Sequence, residues 1–233
     1  MSNLKEQQAI WEKHWTRLID KEMNLDIPKP RRISIAFELL AKPKYGESIL
    51  EAGSGLGLHT LHFAKRFNLR AVLLDISKKA LCFSKRVAKS KGLSCDFVLG
   101  DVLNLPFVEN SFDIVWNDGV NGYFQGKDRQ RVFDEMIRVA AFHGRIVVIV
   151  PNKLSMLYWF LKLIRGYFIW GYSGFEDPFT PKELMKRMQK TKVGEILFVC
   201  KFAELWYMKP FRYLSQSVRI AICGEKAGPT RTN

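Results

Sequence analysis

The nine residues Ile49-Leu50-Glu51-Ala52-Gly53-Ser54-Gly55-Leu56-Gly57 constrain this chain more than any other stretch. A short apolar run leads into an acid and then into three glycines at alternate positions. Leu58 to Phe67 follows with a helical pattern. Strand, glycine turn and helix form the layout by which α/β proteins bring backbone close to a nucleotide-like ligand. Glycine suits such a turn because it tolerates positive φ and has no Cβ to hold a ligand away.

The same alternation continues downstream. Strands are expected at 47–52, 70–75, 95–99, 112–117 and 144–150, with helices at 57–67, 77–91 and 127–141. The run Arg145-Ile146-Val147-Val148-Ile149-Val150 is continuously branched and apolar, which fits a strand buried on both faces of a parallel sheet. A helix at 180–190 has a readable start, with Thr180 as N-cap, Pro181 in the first turn and Glu183 closing a capping box. Strands at about 194–200 and 216–223 complete the series. Strands alternating with helices imply a doubly wound α/β layer with a mostly parallel sheet. Two helices, 4–22 and 33–42, precede it, separated by the proline-rich break Asp26 to Arg32.

The chain therefore reads as one domain: an N-terminal helical cap (1–44), a ligand-binding core (45–152), an insert (153–179), and a C-terminal helix with the last strands (180–233). Ligands in such sheets sit beyond the carboxyl ends of the strands. The ends to watch are Glu51–Gly57, Asp75, Gly100-Asp101, Asn117–Phe124 and Pro151-Asn152.

Net charge is +14 over 233 residues, and the excess is uneven. Between Lys65 and Lys91 nine Lys/Arg face one acid, Asp75. Such a surface attracts anions, whether nucleic acid, anionic lipid or acidic substrate, and it is also compatible with simple solubility. Cys82, Cys95, Cys200 and Cys223 are scattered in apolar settings without metal-type spacing. They read as buried, reduced thiols, and no metal site is expected. With no apolar run at the amino end, the expected location is cytoplasmic.

Three acids give the glycine turn its meaning. Asp75 closes the second strand 18 residues after Gly57, where a carboxylate can accept from both ribose hydroxyls; the alternative is a cap on the next helix. Asp101 closes the third strand within reach of an adenine amino group. Glu51 beside the turn would repel a pyrophosphate and suits a ligand with a positive amine. The spacing G-x-G-x-G also departs from the dinucleotide fingerprint. An adenosine with a cationic, phosphate-free tail is S-adenosylmethionine.

Glu51-x-Gly53-x-Gly55-x-Gly57, Leu74-Asp75-Ile76-Ser77 and Gly100-Asp101-Val102-Leu103-Asn104-Leu105-Pro106-Phe107 together resemble the class I S-adenosylmethionine-dependent methyltransferases. Gly100 through Val115 is most similar to the small-molecule branch that includes the ubiquinone/menaquinone biosynthesis enzymes. The resemblance covers about 45–152. It implies a seven-stranded Rossmann-like sheet with the last strand inserted antiparallel. It further implies that Glu51, Gly53, Gly55 and Gly57 hold the methionine end, Asp75 with Ile76 the ribose, and Asp101 with Val102 the adenine. Asn117 and Asp118 stand at the mouth of the same site as further contacts.

The family's lysine-proline-glycine-glycine turn before the fifth strand is here Ala140-Ala141-Phe142-His143-Gly144. The loop Asn117 to Tyr123 lacks the sequence of amino-directed nucleic-acid methyltransferases, so acceptor type does not carry over. Candidate acceptor contacts are His14, beside Trp11 and Trp15, together with Tyr123 and Trp159. His59 and His62 read as packing or surface residues and His143 as remote, and no catalytic base is identified. The aromatic insert Leu154 to Trp170, with Lys162 and Arg165 on one side, fits either a lid or an interfacial helix on an anionic membrane. The leading expectation is a methyltransferase for a small, apolar or membrane-associated acceptor. The rivals are an RNA or protein methyltransferase, a non-catalytic S-adenosylmethionine-binding module and an NAD dehydrogenase.

Overall fold

The computed structural model describes residues 4–21, 32–156, 158–160, 163, 176–191, 193–202 and 219–228. Helices α1 (Leu4–Lys21) and α2 (Arg32–Ala41) lead into β1 (Ser48–Ala52), α3 (Leu58–Phe67), β2 (Arg70–Asp75), α4 (Lys78–Ser90) and β3 (Cys95–Leu99). Then come β4 (Phe112–Asp118), a 3-10 turn (Val120–Tyr123), α5 (Gly126–Val139) and β5 (Ala140–Pro151). Helix α6 (Pro181–Gln189), β6 (Val193–Phe202) and β7 (Arg219–Lys226) close the series.

The strands form one sheet in the order β3-β2-β1-β4-β5-β7-β6. The first five run parallel, whereas β7 pairs antiparallel with both β5 and β6. Sequence order reverses between β1 and β4, so the crevice of a doubly wound sheet opens beyond the ends of β1, β2 and β4.

Side chains alternate across the sheet and both faces are covered. Ile146, Val148 and Val150 point into a core closed by Val132, Phe133 and Met136 of α5 and Leu184 and Met188 of α6. Val147 and Ile149 point the other way, against Phe37 of α2, Leu61 and Phe63 of α3, and Phe83 and Val87 of α4. The continuous apolar run of β5 is thereby explained, because each successive residue meets a different helical layer.

Two expectations at the edges are corrected. Ala140 to Gly144 is part of β5 and not a turn before it: the register with β4 jumps from Phe112↔Ala140 to Ile114↔Arg145, and His143 sits at φ 61°. A wide bulge accommodates the surplus residues. The bulge is held by Lys226 Nζ, which donates to Asn110 Oδ1, Arg138 O and Ala140 O at 2.7, 3.1 and 2.9 Å. The last strand runs on to Lys226, three residues past its expected end, because Gly224 pairs with Ile146 and does not end it.

The cysteines divide. Cys223 is buried, and burial pushes its thiol up to about 12. Cys95 is half-buried and raised to about 11. Cys82 was expected inside and is exposed on the outer face of α4. The Cys200 side chain lies outside the described residues, as do Lys162, Arg165 and most of the insert.

Candidate functional site

Backbone hydrogen bonds pin the strand ends to one another. Gly53 N and Ser54 N both donate to Leu74 O at 2.8 Å, Gly100 N donates to Asp75 O at 3.0 Å, and Gly119 N donates to Ile149 O at 2.8 Å. A cavity of about 220 Å³ opens over these ends. Its floor includes Gly53, Asp75, Ile76, Asp101, Val102 and Asp118, six of the residues expected at the ligand site.

The glycine turn is packed tightly by the chain itself. At Gly55, with φ +51°, an added Cβ would fall 2.4 Å from the Trp15 ring. At Gly57, with φ +59°, it would fall 1.8 Å from Leu73 Cδ2. Both positions thus require glycine for conformation and for space. Neither lines the cavity, and of the three glycines Gly53 alone does.

Asp75 joins two parts of the site. Its Oδ2 accepts from Gly55 N at 2.7 Å and its Oδ1 from Ser77 N at 2.8 Å. Burial pushes its carboxyl up, and the two N–H donors pull the other way. Each carboxylate oxygen has a second acceptor position, so these bonds leave room for two hydroxyl donors from the cavity. The cap on α4 is Ser77, whose Oγ accepts from Ala80 N at 3.2 Å. Asp101 commits one oxygen to its own turn, through Leu103 N at 2.9 Å, and lines the cavity on the far side.

Glu51 lies beneath the turn and is 4% exposed. Its Oε2 is buried without a hydrogen-bond partner among the described residues. Burial, reinforced by Asp118 and Asp75, holds its carboxyl well above the ordinary range, against an opposing hydrogen bond from Thr60. An acid raised by burial stabilises the fold fully below its unfolded value, and that contribution is lost as pH rises through the folded value. Glu51→Gln should therefore melt close to the wild type at about pH 4, below the unfolded value, and above it at about pH 8. Scanning calorimetry of the ligand-free protein at the two pH values measures this.

Two expected contacts are placed differently. The Asn117 side chain is fully buried, donating to Asn121 Oδ1 at 2.7 Å, and does not line the cavity. Trp159 is 44% exposed, with its Nε1 donating to Lys153 O at 2.9 Å, and it also stays outside the cavity. Asp118 does reach the cavity but is already answered by Arg219, which donates to its Oδ1. Burial raises the Asp118 carboxyl, and the guanidinium opposes that shift.

His14 and Tyr123, both expected near the acceptor, line the cavity with Trp11 and Trp15. These four form one aromatic wall. Trp11 meets Tyr123 edge-on at 4.8 Å between centroids, and His14 meets Trp15 edge-on at 4.9 Å. Burial and nearby Arg17 lower the His14 imidazole, favouring its neutral form. His59 bonds Ser34 Oγ at 2.9 Å and His143 bonds Glu225 at 2.9 Å, both away from the cavity.

Two anchors escaped the sequence reading. Glu12 of α1 accepts from Lys78 N at 2.8 Å, Ser77 Oγ at 3.0 Å and Lys79 N at 3.3 Å, so α1 is tied to the start of α4 and lies across the glycine turn. A carboxylate is favoured there by the unpaired N–H groups and dipole of the helix. The second is Arg129 of α5, which is 2% exposed. It donates to Phe124 O, Asp177 O, Asp177 Oδ2 and Glu183 Oε1 and lies 4.4 Å over the Phe179 ring. Both join residues dozens of positions apart, and no local pattern marks them.

Residues 49–144 match the family described as a methyltransferase domain. Over 110 residues the chain is 33% identical to norajmaline N-methyltransferase of Rauvolfia serpentina, covering 46% of this chain and 36% of that protein. Over 116 residues it is 28% identical to the ubiquinone/menaquinone biosynthesis C-methyltransferase UbiE of Roseobacter denitrificans, covering 48% and 45%. The chain thus spans less than half the length of these curated relatives. Among solved structures, geranyl diphosphate C-methyltransferase of Streptomyces coelicolor aligns with a TM-score of 0.64 at 15% identity, over 83% of this chain and 78% of that one. The [4+2]-cyclase SpnF aligns at 0.66 and 17% identity, over 84% and 80%. These likenesses establish the Rossmann-like, mostly parallel fold.

Proposed function

We propose, from the premise that residues 49–144 form a methyltransferase domain, that this protein transfers the methyl group of S-adenosylmethionine to a small organic acceptor. The observation that carries the reading is the convergence of Gly53, Asp75 and Asp101 on one cavity beside Glu51, whose buried Oε2 has no partner among the described residues. In it Asp75 takes the ribose hydroxyls, Asp101 with Val102 takes the adenine, and the carboxylates of Glu51 and Asp75 favour a ligand of net positive charge. Among the described residues no group of three or more His, Cys, Asp and Glu is arranged to hold a metal ion.

Bound there, S-adenosylmethionine supplies an activated methyl group on a sulfonium, which leaves as a neutral thioether. The protein's share of the chemistry is alignment and exclusion of water, which together can account for several kcal/mol. Helix α1 provides much of that cover, with Trp15 against Gly55 and Glu12 fastened to α4.

A macromolecular acceptor, suggested by the net charge of +14, gains no support at the cavity, where among the described residues the lining carries Asp75, Asp101, Asp118 and Glu176 against the guanidinium of Arg219. No described helix is long and apolar enough to cross a membrane. Lys162 and Arg165, on which an interfacial role of the insert depends, lie outside the described residues.

Titration calorimetry with S-adenosylhomocysteine and, separately, NAD tests the reading. Micromolar or tighter binding of the first and none of the second is expected, about −8 kcal/mol for a micromolar ligand. Binding of NAD alone would overturn it.

A further inference from the structure

We propose that the acceptor is an aromatic or alicyclic amine, held as its ammonium between the rings of α1 and the carboxylate of Glu176. The inference rests on the methyltransferase reading above and adds the acceptor's chemistry to it. Once Gly53, Asp75 and Asp101 are given to the adenosine, the rest of the described lining includes an aromatic wall of Trp11, Trp15 and Tyr123, the Asp118–Arg219 ion pair, and a further acid, Glu176. Aromatic faces beside a carboxylate select a cation that also carries apolar surface. The same lining repels carboxylate and phosphate acceptors, although the chain as a whole is strongly basic.

Glu176 is held in place by the surrounding structure. The hydroxyl of Tyr158, itself 8% exposed, donates to its Oε2 at 2.8 Å. Asp177 N donates to Gly122 O at 2.8 Å, fastening the segment to the turn after β4, and Arg129 grips the Asp177 carboxylate from below. The Glu176 side chain packs so closely on Gly122 that a Cβ there would lie 3.3 Å from its Cγ. A carboxylate positioned from three sides at the wall of a cavity is a specificity element that favours a cationic ligand.

An ammonium has no lone pair and must lose a proton before it can accept a methyl group. His14, in the same wall, takes that proton. The amine lone pair then forms the N–CH3 bond, the C–S bond breaks, and its electron pair stays on sulfur. S-adenosylhomocysteine and an N-methylated ammonium result, and the proton passes from His14 to water.

The test uses the full chain saturated with S-adenosylhomocysteine and two probes of nearly equal shape, tryptamine and the neutral alcohol tryptophol. Tryptamine is expected to bind about tenfold tighter, an advantage that falls below about threefold in Glu176→Gln. If that variant melts below the assay temperature, Tyr158→Phe, which removes only the hydroxyl on Glu176, is read against the same threshold. Equal affinity for the two probes, or an advantage that survives both variants, overturns the amine and leaves the methyltransferase reading standing. Failure of S-adenosylhomocysteine to bind at all overturns both.

Discussion

Arg129→Met should lower the unfolding free energy by about 3 kcal/mol, the lower end for removing one partner of a buried ion pair. The lower end applies because Asp177 and Glu183 keep 28% and 31% of their side-chain surface in water and can be partly rehydrated. The remaining loss is not recoverable. Phe124 O and Asp177 O lose the donors that satisfy them, and the Phe179 ring loses the guanidinium stacked on it. Methionine fills similar volume, so the effect isolates the polar network from a cavity. For a chain of this size the melting temperature should fall by about 6–12 °C. A fall under about 2 °C would mean that Arg129 does not hold the 176–183 segment in place. The same variant should loosen Glu176, which stands next to Asp177, so acceptor binding should weaken even though Arg129 does not line the cavity.

Asp75→Ala should weaken S-adenosylhomocysteine binding by at least about 100-fold, since hydrogen bonds to a charged group contribute about 1.5–3 kcal/mol each and two ribose hydroxyls are involved. The substitution also withdraws the acceptor from Gly55 N and Ser77 N, two donors at the junction of the glycine turn and α4. Asp75→Asn separates these effects. Its amide oxygen can still accept from one N–H, while its NH2 group faces the other donor, so it should recover part of the stability and little of the affinity. Calorimetric affinity and melting temperature on both variants give the split. Wild-type affinity in Asp75→Ala would sink the ribose assignment.

The strand ends that line the cavity were legible because they are local. Glu51 to Gly57, Asp75 and Asp101 each sit at the end of a strand, and strand ends are set by apolar runs and the turns that follow them. Where the reading slipped, a tertiary contact decided the outcome. Gly224 looks like a stop but is paired within β7, Ala140 to Gly144 looks like a turn but is a bulge held by Lys226, and Cys82 looks apolar but faces water. Asn117 and Trp159 were sought at the ligand because of their position in sequence. Their side-chain donors are engaged elsewhere, Asn117 Nδ2 by Asn121 Oδ1 and Trp159 Nε1 by Lys153 O.

From the sequence alone came the alternation of strand and helix, the strand ends beyond which a ligand was to be sought, and the expectation of a ligand with an adenosine and a positive tail. Those follow from periodicities of a few residues and from the special backbone of glycine. Only the folded chain decided what closes the crevice. Glu12 and Ser77 are 65 residues apart, and Arg129 and Asp177 are 48. No periodicity relates positions so distant. Their meeting depends on how helices pack across a finished sheet, and it sets the aromatic wall over Gly55 and the acid opposite it.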